Sequence, residues 1–440
     1  IRLASTPRLV LQADSDMNAA PARRLGILTI IGPGILVAAT GVGAGDLATA
    51  ALAGSRLGTA VLWAVVVGAA MKFVLTEGLA RWQLATDQTL LEGTSRHLGR
   101  GVLAVFTIYL AAWSFFVGSA LVSACGATAH AIWPLPGSTP DGDKIVYGII
   151  HSLVALGLVW IGGYRLFERV MSICIGVMFV TVVTTALASG PDLGDCLRGL
   201  LVPTIPQLAG DGLGWTVALT GGVGGTVTIL CYGYWIREAG RTGGEAMRIC
   251  RIDLAAGYVM TGVFGLAMVV LATGLETSGS GSRLLVDLAD RLQDRLGAAG
   301  HFARWAFLIG AWGAIFSSLL GVWQSVPYLF ADTWSLWGGR EPGQRISTRS
   351  WPYRGWLLAL ATIPLAGLWT RFTAIQKWYA IVGAAFLPAL AVALLVLGRR
   401  RALVGEKLAT RWIGLLALVA VLLFYLLAGG LEVHKRLSAA

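Results

Sequence analysis

Long apolar runs separated by short polar connections fill the chain from about residue 26 onwards. Residues 61–75, 102–122 and 412–428 are three such runs. With its neighbours, each run approaches the roughly 20 residues that a helix needs to cross the hydrocarbon of a bilayer. A soluble fold has no use for so many of them, so the pattern predicts an all-α membrane protein.

The spacing of these runs predicts eleven transmembrane helices, of which the first and the sixth are broken. We place them at 26–54, 59–82, 102–132, 145–161, 169–188, 214–239, 253–275, 301–336, 355–369, 374–397 and 411–430. The helices form one transmembrane domain, 26–430. We expect it to follow a disordered cytoplasmic N-terminal tail, 1–25, and to precede a C-terminal tail, 431–440.

Composition and charge agree with a membrane protein and exclude other classes. The chain is 56% hydrophobic and only 13% charged, whereas a soluble domain carries roughly a quarter charged residues. The formal net charge of +11 would suit nucleic acid, but the basic residues concentrate in alternate connections. Because basic connections face the cytoplasm, we expect a multi-pass protein of the inner (plasma) membrane without a nucleic-acid partner. Its N-terminus is then cytoplasmic and its C-terminus extracytoplasmic.

The sequence gives no sign of enzymatic or cofactor chemistry. The five cysteines lack paired spacing and fall mostly in apolar context, so we interpret them as small hydrophobic residues. No nucleophile–base pairing, phosphate loop or cofactor motif is recognisable. We therefore expect a protein that is not an enzyme and needs no cofactor. Its partners are the lipid bilayer and a small inorganic ion or other small solute, and its oligomeric state is left open.

Two glycine-rich segments echo each other inside hydrophobic spans, at Thr40–Asp46 and Thr220–Thr226. Each belongs to the first helix of a set of five, and an odd number of helices gives the two sets opposite orientations. Repeat one then covers about 26–188, repeat two covers about 214–397, and 411–430 is an extra helix.

Clustered glycines favour a break, because each costs roughly 1 kcal/mol in a helix interior. Paired breaks in corresponding halves indicate a transporter's central site, where unwound backbone can hold a solute. The alternative is close helix packing, since small residues let membrane helices approach each other. That alternative would explain a single glycine-rich span, but two at matching positions favour a site.

Several short motifs together resemble the Nramp family of divalent-metal transporters. They are Gly32-Pro33-Gly34 followed by Gly43–Asp46, Met71 and Arg81 in helix two, Val117-Gly118-Ser119-Ala120 in helix three, and Gly225-Thr226-Val227 in helix six. The resemblance runs through most of the chain. It implies the 5+5 inverted-repeat fold that the family shares with amino-acid and sodium-coupled transporters.

The chemical positions of that family differ in this chain, which resembles a divergent branch lacking the usual metal motif. Gly43-Ala44-Gly45-Asp46 stands where the family has Asp-Pro-Gly-Asn, and Gly225–Leu230 lacks the family's methionine and histidine. The family has a pair of acidic residues in helix three that is associated with proton movement, and this pair aligns with Ala112 and Phe115 here. The family's glutamine in helix ten aligns with Phe386. Without these relay groups, we expect weak or absent proton coupling.

At the positions that match the family's metal site, the donors that remain are oxygen atoms. Oxygen donors suit a hard divalent cation such as Mg2+ or Mn2+ rather than a soft one. The expected ligands are the Asp46 carboxylate and the carbonyls of Gly43 and Gly225, assisted by Thr40, Thr226 and Thr228. A buried acid in a membrane helix is a functional candidate. Asp46 can also act as the cap of the second half-helix.

Lys72 in helix two motivates a rival hypothesis. It lies five residues before Glu77, a spacing that does not favour a same-face pair, so it can reach Asp46 or another helix. A structural ion pair is one interpretation, and an anion site at helix N-termini is another. The rival substrates are bicarbonate, a small carboxylate or an amino acid, with Ser317 and Gln324 of helix eight as further polar groups. A non-transporting membrane sensor is a third hypothesis.

Overall fold

The computed structural model describes residues 32–161, 164–208, 210–275, 283–339 and 346–438. The described residues are predominantly helical and contain no β-strand. The predicted tail at 1–25 and the first residues of the first predicted span lie outside the described residues.

The helices are numbered α1 to α18 in chain order. They are α1 (Pro33–Gly41), α2 (Ala50–Leu57), α3 (Leu62–Thr86), α4 (Leu90–Leu98), α5 (Arg100–Ile132), α6 (Pro140–Ile161), α7 (Tyr164–Ala188), α8 (Leu193–Leu201), α9 (Gly212–Gly222), α10 (Cys231–Glu238), α11 (Ala246–Ala272), α12 (Leu284–Arg295), α13 (Gly300–Trp337), α14 (Trp351–Thr362), α15 (Phe372–Ala384), α16 (Phe386–Gly398), α17 (Arg401–Leu408) and α18 (Trp412–Ser438). A π-helical segment, Val42–Thr49, joins α1 to α2. Short 3₁₀ helices cover Gly58–Val61, Val227–Leu230, Gly297–Ala299 and Ile363–Trp369.

Each of the eleven predicted spans overlaps a helix in the described part of the chain. By length and hydropathy, eight helical stretches there can cross a membrane. The count becomes nine if Gly176–Ala188 and Leu193–Leu201, bent by 117°, form one span. The all-helical membrane fold is therefore confirmed, while the number of crossings and the inverted repeat stay predictions.

The first predicted break is wrong, because the first glycine-rich segment is wound throughout. Val42–Thr49 forms a π-helix, and both flanking residues, Gly41 and Ala50, have right-handed helical backbone angles. A Cβ on Gly41 would lie 2.5 Å from the amide nitrogen of Gly225, and one on Gly45 would overlap the carbonyl oxygen of Gly222. The glycines of this segment therefore serve close helix approach, which was the alternative interpretation.

The second predicted break is confirmed. Helix α9 ends at Gly222, and helical structure resumes only at Val227. Between them Gly224 and Gly225 have φ angles of +76° and +83°, a left-handed region that other residues reach only at a cost. Two glycines in succession thus supply the backbone conformation that interrupts helix six, the sixth predicted span, between α9 and α10.

Neighbouring helices enclose this break from several sides. The longest helix, α13, packs against α5, α7 and the π-helical segment. Helix α9 packs against both α3 and α15, and α3 in turn packs against α11. Glycine contacts and small buried side chains line these interfaces, so polar groups at the break are shielded from solvent.

Candidate functional site

Asp46 joins the first glycine-rich segment to the break in helix six. Its side chain is fully buried, and its Oδ1 atom accepts a hydrogen bond of 2.7 Å from the backbone N–H of Gly224. The other carboxylate oxygen, Oδ2, has no hydrogen-bond donor within the part of the chain that the structure describes. A buried polar atom without a protein partner is rare in folded proteins, so Oδ2 is a candidate contact for a bound ion or water.

Lys72 reaches the same break from the middle of α3. Its side chain is also fully buried, and its Nζ atom donates to the carbonyl of Gly221 at 2.6 Å and to the carbonyl of Val223. These carbonyls belong to the C-terminal end of α9, where helix carbonyls lack intrahelical donors and the helix dipole is negative. The ammonium therefore caps the first half of helix six.

The two buried charges of the site have opposite sign and interact electrostatically. Each also bonds to backbone of the helix-six break, Asp46 through the amide of Gly224 and Lys72 through the carbonyl groups before it. An isolated charge in so buried a place would be costly, whereas a paired and hydrogen-bonded one is tolerated. The break is thus a neutral assembly in which the carbonyls already hold a cation.

The candidate ligands of helix one make mostly local contacts. The Thr40 hydroxyl donates to the carbonyl of Val37 at 2.9 Å, within its own helix. Gly43 contributes its backbone N–H, which donates to Oγ of Ser318 at 2.8 Å. Among the predicted helix-one residues, Asp46 is therefore the one whose side chain crosses to the break.

The candidate ligands of helix six lie together in the break. Thr228 Oγ1 lies 2.7 Å from the place that a Cβ on Gly225 would take. Thr226 is fully buried, and its Oγ1 accepts a 2.9 Å hydrogen bond from Nε1 of Trp113 on α5. Its methyl group also contacts Gly383 on α15. These contacts attach the start of the second half-helix to the surrounding bundle.

Glu77 lies apart from the break, unlike Lys72. Its carboxylate pairs with Arg81 of α3 at 2.5 Å and with Arg251 of α11 at 2.9 Å. These pairs lie near the end of α3, next to the basic connections. The spacing argument against a Lys72–Glu77 pair is consistent with these contacts. Glu77 therefore belongs to a peripheral ion-pair cluster.

Ser317 and Gln324, the two candidates in the eighth predicted span (α13), also make contacts other than those expected. Ser317 donates to the carbonyl of Ala314 in its own helix at 2.8 Å, and it is the neighbouring Ser318 that receives the amide of helix one. Gln324 accepts a 3.3 Å hydrogen bond from Nε1 of Trp235 on α10. Gln324 thus supports the second half of helix six.

Sequence reasoning missed Trp113 and Tyr258 as neighbours of the site. The Tyr258 ring lies 3.0 Å from the place that a Cβ on Gly224 would take, and its hydroxyl is 2.6 Å from Oγ1 of Thr76. One signal was available for Trp113: it lies in the interior of a span and away from the interfaces, and a buried indole N–H needs an acceptor.

A second buried carboxylate fastens the beginning of helix one. Asp253 on α11 accepts the amide of Gly34 at 2.9 Å, the hydroxyl of Tyr232 at 2.9 Å, and a guanidinium N–H of Arg241 at 2.7 Å. Three separate parts of the chain thus meet on one side chain.

Two solved structures share this fold. A manganese transporter from Eremococcus coleocola, in complex with an aromatic bis-isothiourea substituted compound, superposes with a TM-score of 0.72 over 91% of this chain and 86% of that chain, at 16% identity. MhsT in complex with L-phenylalanine superposes with a TM-score of 0.62 over 92% of this chain and 98% of that chain, at 18% identity. The fold therefore defines the class, an all-helical membrane protein with the same arrangement of helices as these two structures.

The family can also be assigned. A family model described as natural resistance-associated macrophage protein-like, abbreviated Nramp, matches residues 34–433. The chain belongs to the Nramp family, and the resemblance found in the sequence is confirmed. Members of this family are transporters and not enzymes.

Two curated relatives share part of the sequence. Divalent metal cation transporter MntH of Chromohalobacter salexigens is 28% identical over 277 residues, which are 60% of this chain and 61% of the relative. MntH of Klebsiella pneumoniae is 26% identical over 255 residues, which are 56% of this chain and 58% of the relative. The match thus spans about three fifths of the length of these relatives.

Proposed function

We propose that this chain is a secondary transporter that carries a hard divalent cation, Mg2+ or Mn2+, through the helix-six break by alternating access. The observation that carries the proposal is the buried Asp46 carboxylate oxygen, to which no described residue donates, beside carbonyls that hold a positive charge. The relatives' names, divalent metal cation transporter, support the same substrate class.

The available donors favour a hard ion. Within the described residues there is no cluster of three or more His, Cys, Asp or Glu side chains that could hold a metal. A cation at the break would be bound by the Asp46 carboxylate, by backbone carbonyls and by the hydroxyls of Thr226 and Thr228. Oxygen donors with retained water suit Mg2+ and Mn2+, whereas sulfur and imidazole would favour softer ions.

In this proposal, Lys72 is the cation that occupies the site when the substrate is absent. Its ammonium holds the Gly221 and Val223 carbonyls, and a divalent ion binding there has to displace it. Lys72→Met should therefore be destabilised without metal and regain heat stability when Mg2+ or Mn2+ is added, because a ligand that binds the folded state stabilises it. If the variant gains no more from metal than the wild type does, the ammonium is not a substitute for the ion.

The rival hypothesis of an anion or zwitterion substrate has less support. An anion would need free donors, yet the Gly224 amide is taken by Asp46 and the Lys72 ammonium is directed to carbonyls. The Asp46 carboxylate and the Lys72 ammonium thus already occupy the donor and acceptor groups of the break that an anion or zwitterion would use. The rival is kept as an outcome of the transport experiment.

Uptake into proteoliposomes tests the proposed function. Purified protein should move Mg2+ or Mn2+, and Asp46→Asn should reduce uptake to background while it keeps the shape of the side chain. Asp143→Asn is the matched control, since Asp143 is a second fully buried carboxylate that pairs with His130 at 2.7 Å. The proposal is wrong if the vesicles take up no divalent ion but do take up labelled bicarbonate, a small carboxylate or an amino acid in a Lys72-dependent way.

Three finer features also stay proposals. We expect eleven crossings in a 5+5 inverted repeat, with a cytoplasmic N-terminus and an extracytoplasmic C-terminus. We also expect weak or absent proton coupling, because Ala112 and Phe115 stand where the family's acidic relay lies. A pH-sensitive dye inside the vesicles should then report no stoichiometric proton movement during metal uptake.

A further inference from the structure

A groove of about 800 Å³ lies away from the helix-six break, at one end of the bundle. Its walls come from the second half of α3, the beginning of α11, the end of α17 and the beginning of α18. The basic connections assign this end to the cytoplasm. We propose that the groove binds an anionic phospholipid of the inner leaflet, and this inference does not depend on the transported substrate.

The first support is the charge of the groove. Five cationic side chains line it, against two carboxylates, Glu77 and Glu245. The cationic side chains are Arg81, Arg248, Arg251, Lys407 and Arg411. Glu77 already pairs with two of them, at 2.5 Å and 2.9 Å. The groove thus keeps an excess of positive charge, which suits a phosphate-containing headgroup.

A second support is an unused donor inside this charged region. The guanidinium of Arg81 donates to Glu77 through Nη2 and, at 3.4 Å, to the carbonyl of Ala409 through Nη1. Its Nε atom is buried and has no acceptor within the described residues. A buried donor without a partner is costly. The Arg81 guanidinium therefore keeps donor capacity beyond its pair with Glu77.

The apolar part of the groove points to a lipid rather than to a soluble anion. Phe73 and Val74 lie about two turns before Arg81 on α3, and Ile413 and Ala417 lie just after Arg411 at the start of α18. Charged side chains therefore line the end next to the connections, and apolar ones line the part that extends into the membrane. A phospholipid has the same order of groups, with a charged head above an acyl chain.

Native mass spectrometry of the detergent-purified chain tests the proposal. The wild type is offered phosphatidylglycerol and phosphatidylcholine in equal amounts, and we expect it to retain phosphatidylglycerol preferentially. The charge variant is Arg248→Gln/Lys407→Gln/Arg411→Gln, which leaves the two arginines paired with Glu77 in place. Because each cation near an anionic lipid contributes appreciably, we expect retention to fall on the order of tenfold or more.

Two control variants make the result specific. Arg96→Gln/Arg100→Gln/Arg401→Gln removes three exposed cations outside the groove and should retain phosphatidylglycerol like the wild type. Ala417→Trp fills the apolar part without changing charge and should weaken retention. Size-exclusion profiles and heat-denaturation midpoints close to those of the wild type show that each variant is folded.

Several results would overturn the proposal. Equal retention of both lipids, or unchanged retention by the charge variant, would show that the basic side chains do not recognise a headgroup. Unchanged retention by Ala417→Trp would show that no acyl chain occupies the groove. If millimolar glycerol phosphate removes phosphatidylglycerol from the wild type, the groove is a site for soluble anions and not for a lipid.

Discussion

The two glycine-rich segments look alike in sequence but differ in structure. Thr40–Asp46 lies in a continuous helix that widens into a π-helix, whereas Thr220–Thr226 ends one helix and leaves four residues outside regular structure before the next turn begins. Both segments sit in buried surroundings, and they face each other. Glycine content alone therefore does not decide whether a membrane helix breaks.

The difference lies in what each glycine supplies. In helix six, Gly224 and Gly225 adopt positive φ angles, so they supply a backbone conformation. In helix one, Gly41 and Gly45 are helical and supply space, because backbone atoms of helix six occupy the place of a side chain. The broken helix thus needs an intact neighbour that comes close to it, and the two kinds of glycine are complementary.

The largest expected effect comes from removing the cation that caps the broken helix. Lys72→Met leaves two carbonyls and the Asp46 carboxylate without their positive partner. Leaving buried polar and charged groups without their cation costs up to about 3–5 kcal/mol. We expect a marked fall in the heat-denaturation midpoint in detergent, partly restored in Asp46→Asn/Lys72→Met because neighbouring changes are not additive. A wild-type midpoint for the single variant would contradict the assigned capping role.

The next effect tests the role of space in helix one. In Gly45→Ala the new methyl group meets the Gly222 carbonyl, and backbone on both sides cannot move aside as a side chain can. Overpacking of this kind costs about 1–3 kcal/mol, which a denaturation midpoint should report. Gly157→Ala in α6 is the matched control, since no described atom beyond the adjoining backbone of its own helix lies within 4 Å of the added Cβ, and it should be neutral or slightly stabilising. Equal midpoints for the two variants would refute the close-approach explanation.

A smaller effect tests the role of backbone conformation in helix six. At Gly224, with φ of +76°, alanine should cost roughly 1–2 kcal/mol, and asparagine should cost less because it tolerates the left-handed region. Gly45→Asn should show no such relief relative to Gly45→Ala, since space is the constraint there. Midpoints of the four variants give the comparison. The explanation is wrong if asparagine raises the denaturation midpoint relative to alanine equally at Gly224 and at Gly45.

The smallest effect concerns the attachment of the second half-helix. Trp113→Phe removes the indole donor that bonds Thr226 at 2.9 Å and keeps an aromatic ring in place. A typical hydrogen bond contributes about 0.5–1.5 kcal/mol net, so the midpoint should fall slightly. Adding Thr226→Val to this variant should then cost less than Thr226→Val does alone. Fully additive effects would argue against the hydrogen bond.

Much of the architecture follows from the sequence because the membrane limits the choices. Apolar runs located the helices, and the positions of Asp46 and Lys72 inside such runs marked both as unusual, since charges within lipid are expensive. The break in helix six was also predictable from its two successive glycine pairs. These features depend on short stretches of chain and on the solvent around them.

Other features could not be predicted because they depend on distant residues. The glycines of helix one make room for Gly222 and Gly225, which lie about 180 positions away along the chain, so the local sequence does not reveal that they serve packing and not a break. The target of Lys72 depends on which helix stands opposite α3, and its long side chain could have reached several. For Ser317 and Ser318, adjacent in sequence, only the packing of α13 decides which hydroxyl faces helix one.

Asp253 has a consequence for how the protein can move. Its carboxylate holds the first turn of α1 through Gly34 while Tyr232 and Arg241 bind the same group from the other side of the helix-six break. Any swing of α1 away from α11 has to exchange the Gly34 hydrogen bond for one to water, and it leaves a carboxylate that still faces the arginine. That carboxylate can accept the Gly34 amide again when α1 returns, so Asp253 favours the packed position of α1 that the structure shows.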